Sequence, residues 1–171
     1  MRVHVVGNAC IDTNFRLGRL PSAGETLNAL SCEEGLGGKG ANQAVAAART
    51  GAAVTLWTAL GNDLAAAAIR DHLSAEPCDL RATTFDLPSD RSTIAVDAGS
   101  ENFIVSSVAC CRAYDPLKQT AFGDEIAPGD MLVMQGNLTA ATTEACLRAA
   151  REKGCRRVLN VSPLTWRICR S

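Results

Sequence analysis

The sequence predicts an α/β fold: a doubly wound sheet accompanied by a separate small antiparallel sheet. Three observations carry this expectation. Short apolar runs rich in valine and leucine alternate with helical stretches, the pattern of parallel strands joined by crossover helices. The glycine-rich run Gly35-Leu36-Gly37-Gly38-Lys39-Gly40 passes straight into the alanine-rich stretch from Ala41 to Arg49, a turn feeding a helix. More polar strand-like segments lie between turn residues and do not suit a buried sheet.

Arg2 to Val6 is the valine-rich run expected of a central parallel strand covered on both faces. Thr13 to Leu17 and Thr26 to Cys32 are more polar, with Pro21 and Gly24 between them, and read as a pair of outlying strands. The helix after Gly40 has its stop signal at Gly51, where a left-handed residue ends it. Val54 to Leu60 is a second buried strand, and a helix follows from about Asp63 to Ser74, capped by Asn62 or Asp63. A strand near Leu80 to Phe85 comes next. Ser92 to Asp97 and Asn102 to Val108 flank Ala98, Gly99 and Ser100 in the pattern of an antiparallel hairpin. Met131 to Gln135, a helix capped by Thr139 and running to about Lys153, and Arg157 to Val161 complete a strand-helix-strand unit. No repeat, low-complexity tract or linker interrupts the chain, so a single domain is the simplest account.

Composition narrows the function classes. The chain has 171 residues, 47% hydrophobic and 20% charged, enough to bury one core. A net charge of −1 and only 4% aromatic residues give no electrostatic footprint for nucleic acid or a membrane surface. No apolar run approaches the roughly 18 residues of a membrane span. His4, Asn8 and Asp12 interrupt the N-terminus where a signal peptide needs continuous apolar sequence, which points to the cytoplasm. The eight cysteines contain no Cys-x-x-Cys pair, and His4 and His72 lie far from any cysteine cluster, so no metal site is expected. They read as small buried hydrophobes or chance surface thiols.

The glycine turn reads as a small-molecule site, because glycine lets the backbone approach a ligand and the first free N–H groups of a helix face whatever lies before it. Gly35-x-Gly37-x-x-Gly40 also matches a dinucleotide fingerprint, with Asp63 downstream to take a ribose hydroxyl. That fingerprint should follow the first buried strand, whereas here it follows a polar segment with Cys32, Glu33 and Glu34. A phosphate-cradling P-loop is excluded, since Ala41-Asn42 stands where Lys-Ser or Lys-Thr is needed. Asp12 follows the first strand by a few residues and should lie at the carboxyl end of the sheet, where α/β folds bind ligands. A carboxylate there accepts hydrogen bonds from two ligand hydroxyls at once. The plainer alternative is a turn or capping aspartate.

The same residues resemble the ribokinase-like (PfkB) carbohydrate kinases, whose first signature is a Gly-Gly-x-Gly-x-Asn turn entering a helix. Val5-Val6-Gly7-Asn8-Ala9-Cys10-Ile11-Asp12 resembles the family's first strand and substrate-binding aspartate. Pro21-Ser22-Ala23-Gly24-Glu25-Thr26 resembles its Pro-x-x-Gly-Glu-Thr turn, and Gly61-Asn62-Asp63 its Gly-x-Asp turn after the second strand. The resemblance implies a ribokinase-like doubly wound sheet, incomplete here, with a small antiparallel lid sheet near residues 13–34 and 92–108 that often forms a dimer contact. It implies sugar contacts at Asp12, Gly38, Lys39 and Asn42. Cys10 stands where ribokinase has an amide, and Asn137, in Met134-Gln135-Gly136-Asn137, where it has a glutamate. Those two departures put ribose itself in question and leave a related furanose, a nucleoside or another polyol open.

Members of that family transfer the γ-phosphoryl group of ATP to a sugar hydroxyl with Mg²⁺, using an aspartate base in a Gly-Ala-Gly-Asp turn. Neither that turn nor the family's Asn-x-x-Glu motif occurs in this sequence. Residues 1–163 are therefore expected to be the substrate-binding half of such a kinase, truncated, binding no nucleotide tightly and inactive alone. The final residues, 164–171, resemble nothing in the family and read as an unrelated tail after a break near Pro163. The alternatives are a non-catalytic sugar-binding or oligomerising fragment and a dinucleotide-binding domain.

Overall fold

The alternation of apolar runs and helices is realised as two sheets. The computed structural model describes residues 1–162, so the 164–171 tail lies outside the described residues. In chain order the elements are β1 (Val3–Val6), β2 (Cys10–Arg16), β3 (Ser31–Gly37), α1 (Lys39–Arg49), β4 (Val54–Leu60), α2 (Leu64–Ser74), β5 (Asp79–Thr84), β6 (Arg91–Val96) and β7 (Asn102–Ser107). There follow α3 (Ala109–Ala113), a 3₁₀ turn (Pro116–Lys118), α4 (Thr120–Glu125), β8 (Met131–Gln135), α5 (Ala140–Glu152) and β9 (Arg156–Asn160).

The larger sheet has the order β5-β4-β1-β8-β9 and every pair in it is parallel. Strand side chains alternate between faces, and the core divides accordingly. Val5, Leu56 and Leu60 pack with Ala41, Ala44 and Ala48 of α1 and Ile69 and Leu73 of α2. Val6, Trp57, Leu132 and Met134 pack with Tyr114, Phe122 and Cys146 on the opposite face. Trp57 meets Phe122 edge-on, with ring centroids 5.1 Å apart. All seven residues of β4 are buried, which accounts for a sequence that is apolar apart from Thr55 and Thr58. Among the described residues no helix is long and apolar enough to cross a membrane.

The smaller sheet differs from expectation. The two segment pairs form one separate four-stranded sheet of order β3-β2-β6-β7, as expected, but it is mixed rather than antiparallel. β2 and β3 are antiparallel, as are β6 and β7, but β2 and β6 run parallel. The reason is connectivity: β6 reaches β2 only after the chain has passed through β3, α1, β4, α2 and β5, so the pair is not a hairpin. β3 begins at Ser31 rather than near Thr26, and it takes in Gly35 and Gly37. Pairing to β2 overrides the turn propensity of those glycines. The short helices α3 and α4 have too few turns to show helical periodicity in the sequence.

The start of the larger sheet is tied by a buried polar group. His4 is fully buried on β1; the Trp57 Nε1–H donates to its Nδ1 at 3.2 Å, and its Nε2 faces Asp130 Oδ2 at 3.3 Å. A ring that accepts at Nδ1 must be neutral there, and burial lowers the pKa of His4 below its ordinary 6.5. A depressed folded pKa means that the stabilisation is complete above pH 6.5 and is lost as pH falls below it, because the unfolded chain takes up the proton first. The stability gap between the native protein and His4→Gln should therefore narrow between pH 7 and 5.5, by up to about 1.4 kcal/mol per pH unit. Denaturant melts of both proteins across that range check this, and a constant gap contradicts it.

Candidate functional site

The strand order reverses at β1. The chain adds β4 and β5 on one side of it and β8 and β9 on the other, so the crevice beyond the carboxyl ends of β1 and β8 is the topological switch point. Both strands run into a Gly-Asn pair there, Gly7-Asn8 after β1 and Gly136-Asn137 after β8. A cleft of about 360 Å³ opens at this place, between the larger sheet and the smaller one. Its lining includes all six residues singled out from the sequence: Cys10, Asp12, Gly38, Lys39, Asn42 and Asn137.

The glycines hold the cleft by what they lack. Gly38 has φ +93° at the N-cap of α1, a conformation that strains other residues. A Cβ on Gly40 would stand 2.6 Å from the Gly7 carbonyl carbon and 2.7 Å from the Asn8 carbonyl oxygen. The first turn of α1 is thus pressed against the end of β1. Asn8 fastens it, accepting from the Ala41 N–H with its backbone oxygen at 3.0 Å and from the Gly40 N–H with its side chain at 3.4 Å. On β8, Gln135 fills the space beside Gly7 and donates to Gln43 Oε1 of α1 at 2.5 Å.

Asp12 stands on β2 itself rather than in a following turn, paired with Gly35 on one side and Ser92 on the other. A Cβ on Gly37 would collide with its carboxyl group, so Gly37 leaves the room that Asp12 occupies. The Cys10 thiol donates to Asp12 Oδ1 at 3.1 Å and lies 3.8 Å from Ser92 Oγ. Burial, helped by that bond to Asp12, pushes the Cys10 thiol up to about 12, so it stays a protonated donor. Ser92 meets Ser106 Oγ across β6 and β7 at 3.0 Å. Two positions along, Ile94 and Ile104 are paired across the same strands. The wall therefore carries a polar row beside an apolar one. Asn137 presents an Oδ1 that is buried without a donor among the described residues. Hydroxyl donors of a polyol suit this acceptor-rich lining.

Sequence reasoning did not single out Asn8 as a brace, nor Ser92, Ser106, Ile94, Ile104 or Asp90 as lining. Asn8 had a signal, since an asparagine directly after a strand-ending glycine can hold a nearby helix start. The others become visible only once β6 and β7 are paired onto β2. Asp63 is kept out of the cleft: it caps α2 through the Ala66 N–H at 2.8 Å and binds Ser89. The glycine fingerprint begins inside β3 of the smaller sheet and ends in the first turn of α1, rather than following the first parallel strand as a dinucleotide fingerprint does. No group of three or more His, Cys, Asp or Glu residues is placed to hold a metal among the described residues.

Fold and cleft together define an α/β domain with a polar-lined cleft at its switch point. The family model for pfkB family carbohydrate kinases matches residues 1–169, and the chain belongs to that family. It is 31% identical over 163 residues to the ribokinase of Haemophilus influenzae, covering 93% of this chain and 53% of that protein. It is 31% identical over 166 residues to a bifunctional ribokinase/ribose-5-phosphate isomerase A of Fructilactobacillus sanfranciscensis, covering 95% of this chain and 31% of that one. Among solved structures, the ribokinase of Cryptococcus neoformans in complex with ADP superposes with a TM-score of 0.81 at 30% identity, over 96% of this chain and 51% of that one. The chain thus spans about half the length, or less, of these relatives.

Two glycine substitutions should separate fold from site. Gly40→Ala meets rigid backbone and should cost about 1–3 kcal/mol of stability. Gly37→Ala meets a movable carboxylate, so it should melt closer to the native protein while displacing Asp12. Thermal melts of the pair check the order, and equal losses would contradict it.

Proposed function

We propose that this chain is the sugar-binding half of an ATP-dependent kinase that phosphorylates a hydroxyl of a ribose-like sugar or nucleoside. The observation that carries it is the convergence of Cys10, Asp12, Gly38, Lys39, Asn42 and Asn137 on one cleft at the switch point. In this reading Asp12 accepts two hydroxyls of the sugar, and Asn42 donates and accepts with a third. Gly38 and Lys39 present the start of α1, and Asn137 closes the far side. Cys10 holds the Asp12 carboxylate through its thiol.

The chemistry of transfer belongs to ATP and Mg²⁺, which the complete family member is expected to use. These 171 residues contain no Gly-Ala-Gly-Asp turn, so we assign them sugar binding in the cytoplasm without turnover of ATP on their own. A homodimer through the small sheet is part of the same proposal. Its support is edge strand β7, where Phe103, Ile104 and Val105 are 62%, 53% and 57% exposed.

Calorimetric titration with D-ribose tests the proposal. Saturable binding is expected, weakened on the order of tenfold to a hundredfold in Asp12→Asn, as loss of a charge-assisted hydrogen bond implies. Binding unchanged by Asp12→Asn would contradict the assigned role, and ATP turnover by the isolated chain would contradict the assignment to a half. Sedimentation of Phe103→Lys against the native chain tests the dimer. The variant should be monomeric where the native protein is not.

A further inference from the structure

The hairpin of β6 and β7 supplies much of one wall of the cleft: Ser92 and Ile94 from the first strand, Ile104 and Ser106 from the second. Its first strand is paired along its length with β2, and the chain enters it at Ser89-Asp90 and leaves it at Val108 into α3. Ser89 is pinned on the entering side. Its N–H and hydroxyl both donate to the Asp63 carboxylate, at 2.9 and 2.7 Å, and its Oγ accepts from the Gly61 N–H at 2.9 Å.

Asp90 joins the entering side to the leaving side. Its backbone oxygen accepts from the Ile11 N–H of β2 at 3.3 Å. Its Oδ1 accepts from the N–H groups of Cys110 and Cys111 at 3.1 and 3.4 Å. These are the second and third residues of α3, the amides that an N-cap side chain ordinarily satisfies. Val108 occupies the N-cap and its side chain makes no such bond. The cap of α3 therefore comes from the other end of the hairpin. Asp90 is 1% exposed, and its second oxygen, Oδ2, is buried without a donor among the described residues. A buried carboxylate with one orphaned oxygen is a costly residue to keep merely to cap a helix of five residues.

We infer that Asp90 is a positioning residue for the cleft: by tying the entry of the β6–β7 hairpin to the first turn of α3, it fixes where Ser92, Ile94, Ile104 and Ser106 stand over a bound ligand. This role rests on the reading of the cleft as a sugar site, and it is exerted through the strands that Asp90 ties, although Asp90 also borders the cleft. The titratable groups around Asp90 are the thiols of Cys10 on β2 and of Cys110 and Cys111 on α3, all pushed up by burial. Lys39 of α1 and Asp12 of β2 border the same cleft. Burial raises Asp90 from 3.8 to about 6. A raised folded pKa gives stabilisation that is complete below pH 3.8 and lost as pH rises through about 6.

Asp90→Asn and Asp90→Ala test the inference in the full chain. The amide keeps an acceptor oxygen without the charge, whereas alanine keeps neither. Hydrogen exchange at the Cys110 and Cys111 amides should be roughly tenfold faster or more in Asp90→Ala and close to native in Asp90→Asn, as expected for loss or retention of about one capping interaction. The D-ribose dissociation constant should rise several-fold in Asp90→Ala and recover in Asp90→Asn. The melting temperature of Asp90→Asn should gain on the native protein between pH 4 and 7. Unchanged exchange in Asp90→Ala overturns the tie, and faster exchange with unchanged ribose affinity overturns the positioning role. Failure of the native chain to bind D-ribose overturns the sugar reading instead, and the exchange measurement still decides the tie.

Discussion

Everything at the switch point depends on one close approach of backbone to backbone. The chain leaves β1 at Gly7, makes β2 and β3 in the smaller sheet, and returns to start α1 against the place it left. A Cβ at Gly7 or at Gly40 would run into atoms of the other segment or of Gln135. With both reduced to hydrogen, Asn8 reaches two amides of the helix and the alanine face of α1 settles on β1 and β4. The same approach carries Gly38 and Lys39 to the mouth of the cleft. A side chain at either glycine would separate the helix from the strand and open the site from below.

The cleft is then built by two sheets with different tasks. The larger sheet, whose central strands β1, β4 and β8 are mostly buried, contributes strand ends: Asn8 after β1 and Asn137 after β8. The smaller sheet contributes a wall whose register sets its chemistry. Asp12, Ser92 and Ser106 fall in one row across β2, β6 and β7, and Ile94 and Ile104 in the next. Neighbouring strands are about 4.8 Å apart, so the row sets three polar side chains next to one another along the wall. An apolar strip beside a polar row suits a ligand that has carbon on one face and hydroxyls on its rim.

The larger sheet was legible because its residues act locally. Val54 to Leu60 reads as a buried strand from its own composition, and Asp63, Thr139 and Gly51 mark helix ends by their own chemistry. The cluster at Gly35 to Gly40 was legible as a site but not as a strand, because β3 owes its existence to pairing with β2. The parallel pairing of β2 with β6 joins segments some eighty residues apart, as in Asp12 with Ser92, and no local pattern announces it. Ser92, Ser106 and Asp90 were hidden for that reason. A single serine or aspartate in a polar strand has no signal until its neighbours across the sheet are known. Asp12 was singled out by its place after the first strand and Asn137 through motif resemblance, which encodes such pairings without revealing them.

The central claim is that residues from the end of β1, from β2, from α1 and from the end of β8 form one sugar site. The most direct measurement is an amide-resolved NMR titration of the ¹⁵N-labelled chain with D-ribose. Saturable shifts are expected at the backbone amides of Gly38 and Lys39 and at the side-chain amides of Asn42 and Asn137, with little change at the amides of α2. Shifts absent from those four residues, or confined to another face of the molecule, would contradict the account.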